Sequence, residues 1–291
     1  LAPPAPGAPR LLASGLAERG AALGRGTVSA ATSIVRSPQG IAGLRKLPGV
    51  LRRELRPLAA DTPLDQHISA AREVAFAGRP LAELKQVEQA ARERSGHRVT
   101  INDVLLGAVA GGIRHWLAEQ ELPFSPMRVK VPVSMHAPDE GDHVANRDSF
   151  LFVDLPCEEA DPLRRLARIS TETEGMKAHH DAEALYSFFH GLAHLGPLGK
   201  AGVRLAASPR EFSLSVSNVP GPRGELEIAG APMERIVSLA EPADRHALRV
   251  AAISYDGMLR LGLCTDPTVL SGLSVLAEGI DAAFDELLQA S

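Results

Sequence analysis

The stretch TINDVLLGAVAGGIRHWL, residues 100–117, sets the strongest constraint on the fold. Ile101, Leu105, Ala108, Val109, Gly112, Ile113 and Trp116 recur at three- and four-residue spacing, the period of an amphipathic helix. Polar side chains are so few that this helix must be mostly buried, with small residues where it touches its neighbours closely. It begins with two polar residues, Asn102 and Asp103. Thr, Asn and Asp side chains cap helix N-termini by accepting hydrogen bonds from the first unpaired backbone amides. One of the pair would suffice for that purpose, which leaves a second role open for the other.

The 291 residues can bury a large core and hold one large domain or two ordinary ones. A hydrophobic content of 45% with 23% charged residues describes a soluble globular chain. No uninterrupted apolar stretch approaches the roughly 20 residues that a membrane-spanning helix needs. The net charge of −4 gives no electrostatic footprint for nucleic acid. The segment LRKLPGVLRRELRP, with Arg45 to Arg56 at its centre, is locally basic, and a solvated helix face accounts for it. Cys157 and Cys264 sit inside apolar, strand-like sequence without C-x-x-C spacing. They read as small core residues of a cytosolic protein, with neither disulfide nor metal indicated.

The opening LAPPAPGAPRLL is rich in Pro and Ala and has no signal-peptide pattern. Residues 1–62 read as an interdomain linker with short helices near 10–24 and 38–55. From residue 63 to 291 the pattern tightens into one domain. It predicts a strand at 71–77, a helix at 80–95, the helix after Asn102, a strand at 128–135 and another over SFLFVDLPC. Helices follow in 161–206, then the strands EFSLSVSN, ELEIAG, ERIVSLA, ALRVAAISY and MLRLGLCTD, and a closing helix at 267–288. Helices and strands mix without strict βαβ alternation. The fold class is therefore α/β of the α+β kind, a mixed sheet flanked by helices rather than a doubly wound parallel sheet.

Five stretches fit one family together and in order: INDVLLGAVAGGIRHWL, VKVPVSMH with Asn146 behind it, FLFVDLPCEEADPLRRLARI, SVSNVPGPRGELEIAGAPMERIVSL and LRVAAISYDGMLRLGLCTDPTVL. The set resembles the C-terminal half of the bacterial wax ester synthase/diacylglycerol acyltransferase family, within the chloramphenicol-acetyltransferase-like, CoA-dependent acyltransferases. The resemblance implies a chloramphenicol-acetyltransferase-like sheet. It also implies an O-acyltransferase that moves a fatty acyl group from acyl-CoA to a long-chain alcohol or diacylglycerol. Acyl-CoA would be co-substrate, with no bound cofactor and no metal. The implied location is cytoplasmic, peripheral at the inner membrane or at lipid droplets. In the family the general base is the second His of H-H-x-x-x-D-G, which lies in the first half. Here none of the ten His residues is followed by Asp four positions later, and in KAHHDAEAL Asp181 follows His179 and His180 directly. The expectation is that no catalytic residue lies in this chain. The general-base His would come from an N-terminal half, covalently joined or retained after cleavage, and the chain alone would be inactive.

The resemblance also assigns supporting residues. Asn102 and Asp103 correspond to a pair near the family's active-site tunnel and would order the domain junction. Ser217 and Asn218 lie on a strand beside the channel, where a hydroxyl or amide donor stabilises the oxyanion formed on the thioester. Ala229, Ala231 and Met233 would line an acyl or acceptor pocket. Trp116, Tyr186 and Tyr255 have core roles. The chain departs from the family pattern around PLDQHIS and LAEPADRHA, which leaves the acceptor open, a specialised metabolite included. The alternative is a non-catalytic member that binds a lipid or a partner.

Overall fold

The computed structural model describes residues 62–134, 148–178, 212–222, 224–243 and 245–291. These belong to one of two compact units, formed by Arg56–Ala182 with Ser208–Ser291. In chain order they form β1 (Glu73–Pro80), α1 (Leu81–Ser95), α2 (Ile101–Glu119), β2 (Met127–Ser134), β3 (Asp148–Leu155) and α3 (Pro162–Ala178). The hairpin-forming and C-terminal elements are β4 (Leu214–Val219), β5 (Glu227–Ile228), β6 (Ala231–Pro232), β7 (Leu248–Tyr255), β8 (Met258–Thr265) and α4 (Leu273–Ala290). Six strands make one sheet in the order β1-β8-β7-β4-β2-β3. The central pairs β2/β4 and β4/β7 are parallel, and the outer pairs are antiparallel. This is the mixed sheet that the irregular order of helices and strands predicts.

Alternation along the strands decides which face is buried. Val129 and Val131, Leu214 and Val216, Leu248, Val250 and Ala252, and Leu259, Leu261 and Leu263 join the helices in a single apolar core. The intervening positions on the opposite face include Arg128, Lys130, Ser215, Ser217, Arg249 and Cys264. Polar residues enter the core face of these strands only toward the strand ends, at Asn218, Ser254 and Thr265.

The helix α2 is buried along most of its length, from Asp103 to Ile113 and again at Trp116 and Leu117. It crosses α4 at close range because small residues meet there. A Cβ on Gly112 would stand 2.8 Å from the Ile280 backbone nitrogen, and one on Gly279 would stand 2.9 Å from the His115 Cβ. Beside them the buried Arg165 of α3 donates from Nε to the Gly107 carbonyl (3.2 Å), from Nη1 to the Glu159 carbonyl (3.1 Å) and from Nη2 to Glu286 (3.3 Å). Further contacts fix the direction of α2. Arg114 donates to the Cys157 and Glu158 carbonyls just after β3, and Trp116 Nε1 donates to the Ser271 carbonyl just after β8. The C-terminal half of α2 thus lies where β3 and β8 end. Its N-terminus is held to α3, where Thr173 Oγ1 donates to Asp103 (2.7 Å).

Two expected strands are altered. ERIVSLA forms no ladder; it passes over the sheet instead, with the Ser238 carbonyl 2.1 Å from where a Gly262 Cβ would sit. A segment lying across a strand has its backbone groups pointed away from any edge, so an apolar β-like composition produced no strand. ELEIAG shortens to a two-residue arm of the hairpin β5/β6. The closing helix starts at Leu273 rather than 267 because Asp266 holds the preceding residues in a turn. Its Oδ1 accepts from Thr268 N and Oγ1 (2.8 and 2.7 Å), while Val269 N and Leu270 N donate to its carbonyl. The expectations for residues 1–61, Asn146, His179, His180, Asp181, Tyr186 and the later part of the 161–206 helices lie outside the described residues.

The chain enters the domain through a fastened segment. Asp65 Oδ2 accepts from Thr62 N and Oγ1 (both 2.8 Å) and from Ser213 Oγ (3.2 Å), and Ala247 N donates to the Leu64 carbonyl. Asp266 Oδ2 accepts from Ser69 N. Burial pushes the Asp266 carboxyl up, but the amide and hydroxyl donors of Thr268 and Ser69 outweigh it and hold the group well below the usual carboxylate range.

Two predictions follow from these contacts. A carboxylate depressed in the folded state stabilises above the unfolded value near 3.9 and loses that contribution as pH falls through its folded value. Asp266→Asn should therefore melt lower than the parent at pH 7, and the gap should narrow below about pH 4; a gap independent of pH between 2 and 7 would contradict this. Gly112→Ala should force α2 and α4 apart and cost about 1–3 kcal/mol, read as a lower melting temperature. Gly175→Ala, where nothing stands within 4 Å of the new Cβ, should not.

Candidate functional site

The sheet opens at its centre. β4 pairs with β7 over six residues and β2 pairs with β3 over eight, but β2 and β4 meet only at Val129/Leu214 and Lys130/Ser215. Beyond Lys130 and Ser215 the two parallel strands diverge, so Val131–Ser134 and Val216–Val219 flank a notch in the sheet. Backbone groups at such a split edge are not used by a neighbouring strand.

Ser217 and Asn218 stand on the β4 side of this notch. By strand alternation Ser217 faces away from the helices and Asn218 faces toward them. Both are partly exposed, and neither side chain has a hydrogen-bond partner among the described residues. The strand end is held rigidly by the following turn. Gly221 lies against β7 so closely that a Cβ would stand 1.8 Å from the Ser254 carbonyl oxygen, and its N–H donates to Ser254 Oγ (3.2 Å). Only glycine allows that approach between the two prolines.

The Asn102/Asp103 pair begins α2. Its two members have different surroundings. Thr100 is the N-cap, and Asp103 completes a capping box: its Oδ2 accepts from Thr100 N (2.8 Å) and Thr100 Oγ1 (2.7 Å). Its other oxygen accepts from Thr173 Oγ1 of α3 at 2.7 Å, and the residue is wholly buried. Both carboxylate oxygens are thereby committed to holding α2 and α3. Asn102 is half-buried and has no side-chain hydrogen bond among the described residues.

The third group lies elsewhere. Ala229 and Ala231 are exposed at the β5/β6 hairpin, where Ala229 (φ 53°) and Gly230 (φ 82°) make the tight turn. Met233 follows, half-buried. The hairpin is anchored by Tyr255, whose hydroxyl donates to the Met233 carbonyl (3.0 Å) and accepts from Leu226 N (3.1 Å). Sequence reasoning gave Tyr255 only a core role; a Tyr at the end of an apolar strand, where its hydroxyl must find a partner, was the available signal. It likewise gave no hint of the bond from Thr173 to Asp103, which joins residues 70 positions apart.

Cysteine chemistry finds no support at either thiol. Burial, then the Glu158 charge, pushes the Cys157 thiol up to about 12, and burial also raises Cys264. Among the described residues no group of three or more His, Cys, Asp or Glu is placed to hold a metal. No described helix is long and apolar enough to cross a membrane.

Comparison with known proteins bears on this arrangement directly. Residues 144–288 match the WS/DGAT C-terminal domain. A Mycobacterium tuberculosis protein named as a diacylglycerol O-acyltransferase is 29% identical over 253 residues, 82% of this chain and 49% of its own length. Another from the same organism is 32% identical over 239 residues, 78% of this chain and 46% of its own length. The chain thus spans about half the length of the curated relatives it matches. Among solved structures, the wax ester synthase/diacylglycerol acyltransferase from Marinobacter aquaeolei VT8 shares the fold at a TM-score of 0.62 and 23% identity, over 84% of this chain and 56% of that one. The epimerization domain from the third module of tyrocidine synthetase B shares it at 0.55 and 12% identity, over 90% of this chain and 58% of that one. The matched stretch runs from β3 to α4 and carries the β4 side of the notch, and it belongs to the wax ester synthase/diacylglycerol acyltransferase family as a C-terminal domain.

Proposed function

We propose that this chain is the C-terminal half of an acyl-CoA-dependent O-acyltransferase that makes wax esters or triacylglycerols, with acyl-CoA and a long-chain alcohol or diacylglycerol as substrates. Residues 63–291 form its acyltransferase domain and residues 1–62 the connection to an N-terminal half, which is its partner. The observation that carries this reading is the notch between β2 and β4, with the unpartnered polar side chains Ser217 and Asn218 on its edge, in a chain of this family.

In the proposed reaction the acceptor hydroxyl attacks the thioester carbonyl while a His of the N-terminal half takes its proton. The carbonyl oxygen becomes an oxyanion, and Ser217 Oγ–H or the Asn218 amide N–H donates to it. Collapse expels the CoA thiolate, which leaves with the proton held by the His. Asn102 orders the domain junction, and Asp103 holds the helix on which Asn102 stands. Ala229, Ala231 and Met233 would take part in the acyl or acceptor pocket only once the exposed hairpin is covered. No metal or bound cofactor is required. Peripheral contact with the inner membrane or with lipid droplets would bring the protein to its apolar substrates.

The test is acyl transfer from palmitoyl-CoA to hexadecanol or dioleoylglycerol by the chain joined to, or co-expressed with, an N-terminal half that carries H-H-x-x-x-D-G. The assembled protein should turn over and the 291 residues alone should not. Ser217→Ala or Asn218→Ala should lower kcat by about 10- to 1,000-fold with little change in melting temperature. Inactivity of the assembled protein with every donor and acceptor, together with retained lipid binding, would favour a non-catalytic role. The Asn102/Asp103 pair should separate cleanly. Asp103→Ala removes the capping box and leaves the Thr173 hydroxyl only the Ser170 carbonyl (3.1 Å) as acceptor, costing about 1–2 kcal/mol. Asn102→Ala should cost less than about 0.5 kcal/mol and yet reduce acyl transfer. Unchanged specific activity in Asn102→Ala would leave that residue without the role given to it.

A further inference from the structure

Just below the notch, on the face away from the helices, three strands place Lys130, Ser215 and Arg249 side by side. The register pairs Lys130 with Ser215 and Ser215 with Arg249, so the two cations flank one serine across about 10 Å of sheet. Both are half-buried. Among the described residues neither has a carboxylate partner or a side-chain hydrogen bond, and Arg249 Nε is buried with none. Two residues earlier on the same strand and face, Arg128 shows the usual solution to a buried cation: Asp154 accepts from its Nε (2.7 Å) and Nη2 (3.2 Å). Burial pulls the Lys130 ammonium below its ordinary range, and the neighbouring Arg249 charge adds to this.

Two half-buried cations with no carboxylate partner among the described residues cost stability unless an anion completes them. The local surroundings narrow its type. The Lys130 ammonium lies 4.3 Å from the Phe150 ring centroid and 5.3 Å from that of Phe212, on which His246 stacks at 3.8 Å. These π-faces soften the isolation of Lys130 but carry no negative charge to match two cations. A phosphate monoester brings close to two negative charges at neutral pH and several acceptor oxygens, which fits one ammonium and one guanidinium on either side of Ser215, whose hydroxyl already donates to the Lys130 carbonyl (3.1 Å). We infer that Lys130 and Arg249 form a binding site for a phosphate group across Ser215, with the Phe150, Phe212 and His246 rings beside it. The inference rests on this row of side chains and does not depend on the acyltransferase reading.

Phosphate of this kind is carried by the nucleotide end of an acyl-CoA and by a phospholipid headgroup, and the test separates the two. The full chain is titrated with adenosine 3′,5′-bisphosphate and, separately, with adenosine. It is also mixed with vesicles of phosphatidylcholine alone and of phosphatidylcholine containing phosphatidic acid. Binding of the bisphosphate but not of adenosine supports the site with a nucleotide source; binding only of the phosphatidic acid vesicles supports it with a lipid source. In either case Lys130→Met and Arg249→Met should each weaken binding at least tenfold. Lys130→Arg should retain it, and the Met variants should melt no lower than the parent because each removes an uncompensated charge. No binding of either phosphate probe, or equal binding by the parent and both Met variants, would overturn the inference. Lys130→Gln and Arg249→Gln serve the same comparison if a Met variant fails to fold.

Discussion

The close crossing of α2 and α4 is the contact on which the rest of the domain depends. Gly111, Gly112 and Gly279 bring the two helix backbones together, and Arg165 fills the flank with hydrogen bonds to backbone carbonyls. Helices packed this tightly lie flat enough to cover one face of a six-stranded sheet with a continuous apolar layer. Arg165 is a buried charge, and its burial is tolerated because carbonyls and Glu286 take up its donors. What is placed on the sheet follows from this: one face packs against the helices, and the other carries a mixture of buried aromatic and polar side chains.

Much of this was legible in the sequence because it is written in local periodicity. The three- and four-residue spacing of α2 gave its span to within about two residues at each end, and alternation located β2, β3, β7 and β8 closely. The small residues of α2 announced a close contact, although not that α4 supplies the other side. ERIVSLA misled because alternation records that a segment is half-buried, not that its backbone pairs. The start of α4 was set by the side chain of Asp266 and its bonds to Thr268 and Ser69, a long-range fastening that no local pattern carries.

The site was less legible, for a related reason. Asn102 and Asp103 stood out together as polar residues at a buried helix start. Only the contact with Thr173 on α3 separates them into a structural carboxylate and an amide left without a partner. Ser217 and Asn218 were visible as polar residues on a strand before a Pro-Gly-Pro turn. What makes them candidates, the divergence of β2 from β4, is a property of strand pairing between segments more than 80 residues apart. Pro132 contributes to it, since a residue without N–H cannot donate to a ladder. Lys130 and Arg249 went unremarked because a single charge in an apolar strand is unremarkable until the register sets two of them beside one serine.

The polar groups of the helix layer and those around the notch differ in how completely they are satisfied, and this difference is informative. On the helix side Asp103, Thr173 and Arg165 have partners for nearly every donor and acceptor, which is what a buried network requires to be stabilising. At the notch and just below it, Ser217, Asn218, Lys130 and Arg249 have none among the described residues. Leaving such groups without partners is unfavourable, and the fold meets that cost with the packing of its core. The core can do so because its apolar layer is unbroken from Val153 to Leu263. Stability is therefore carried by the helix-covered core and the candidate chemistry by the notch at the strand ends. A strand such as β4 serves both, with Leu214 and Val216 pointing into the core and Ser215 and Ser217 pointing out of it.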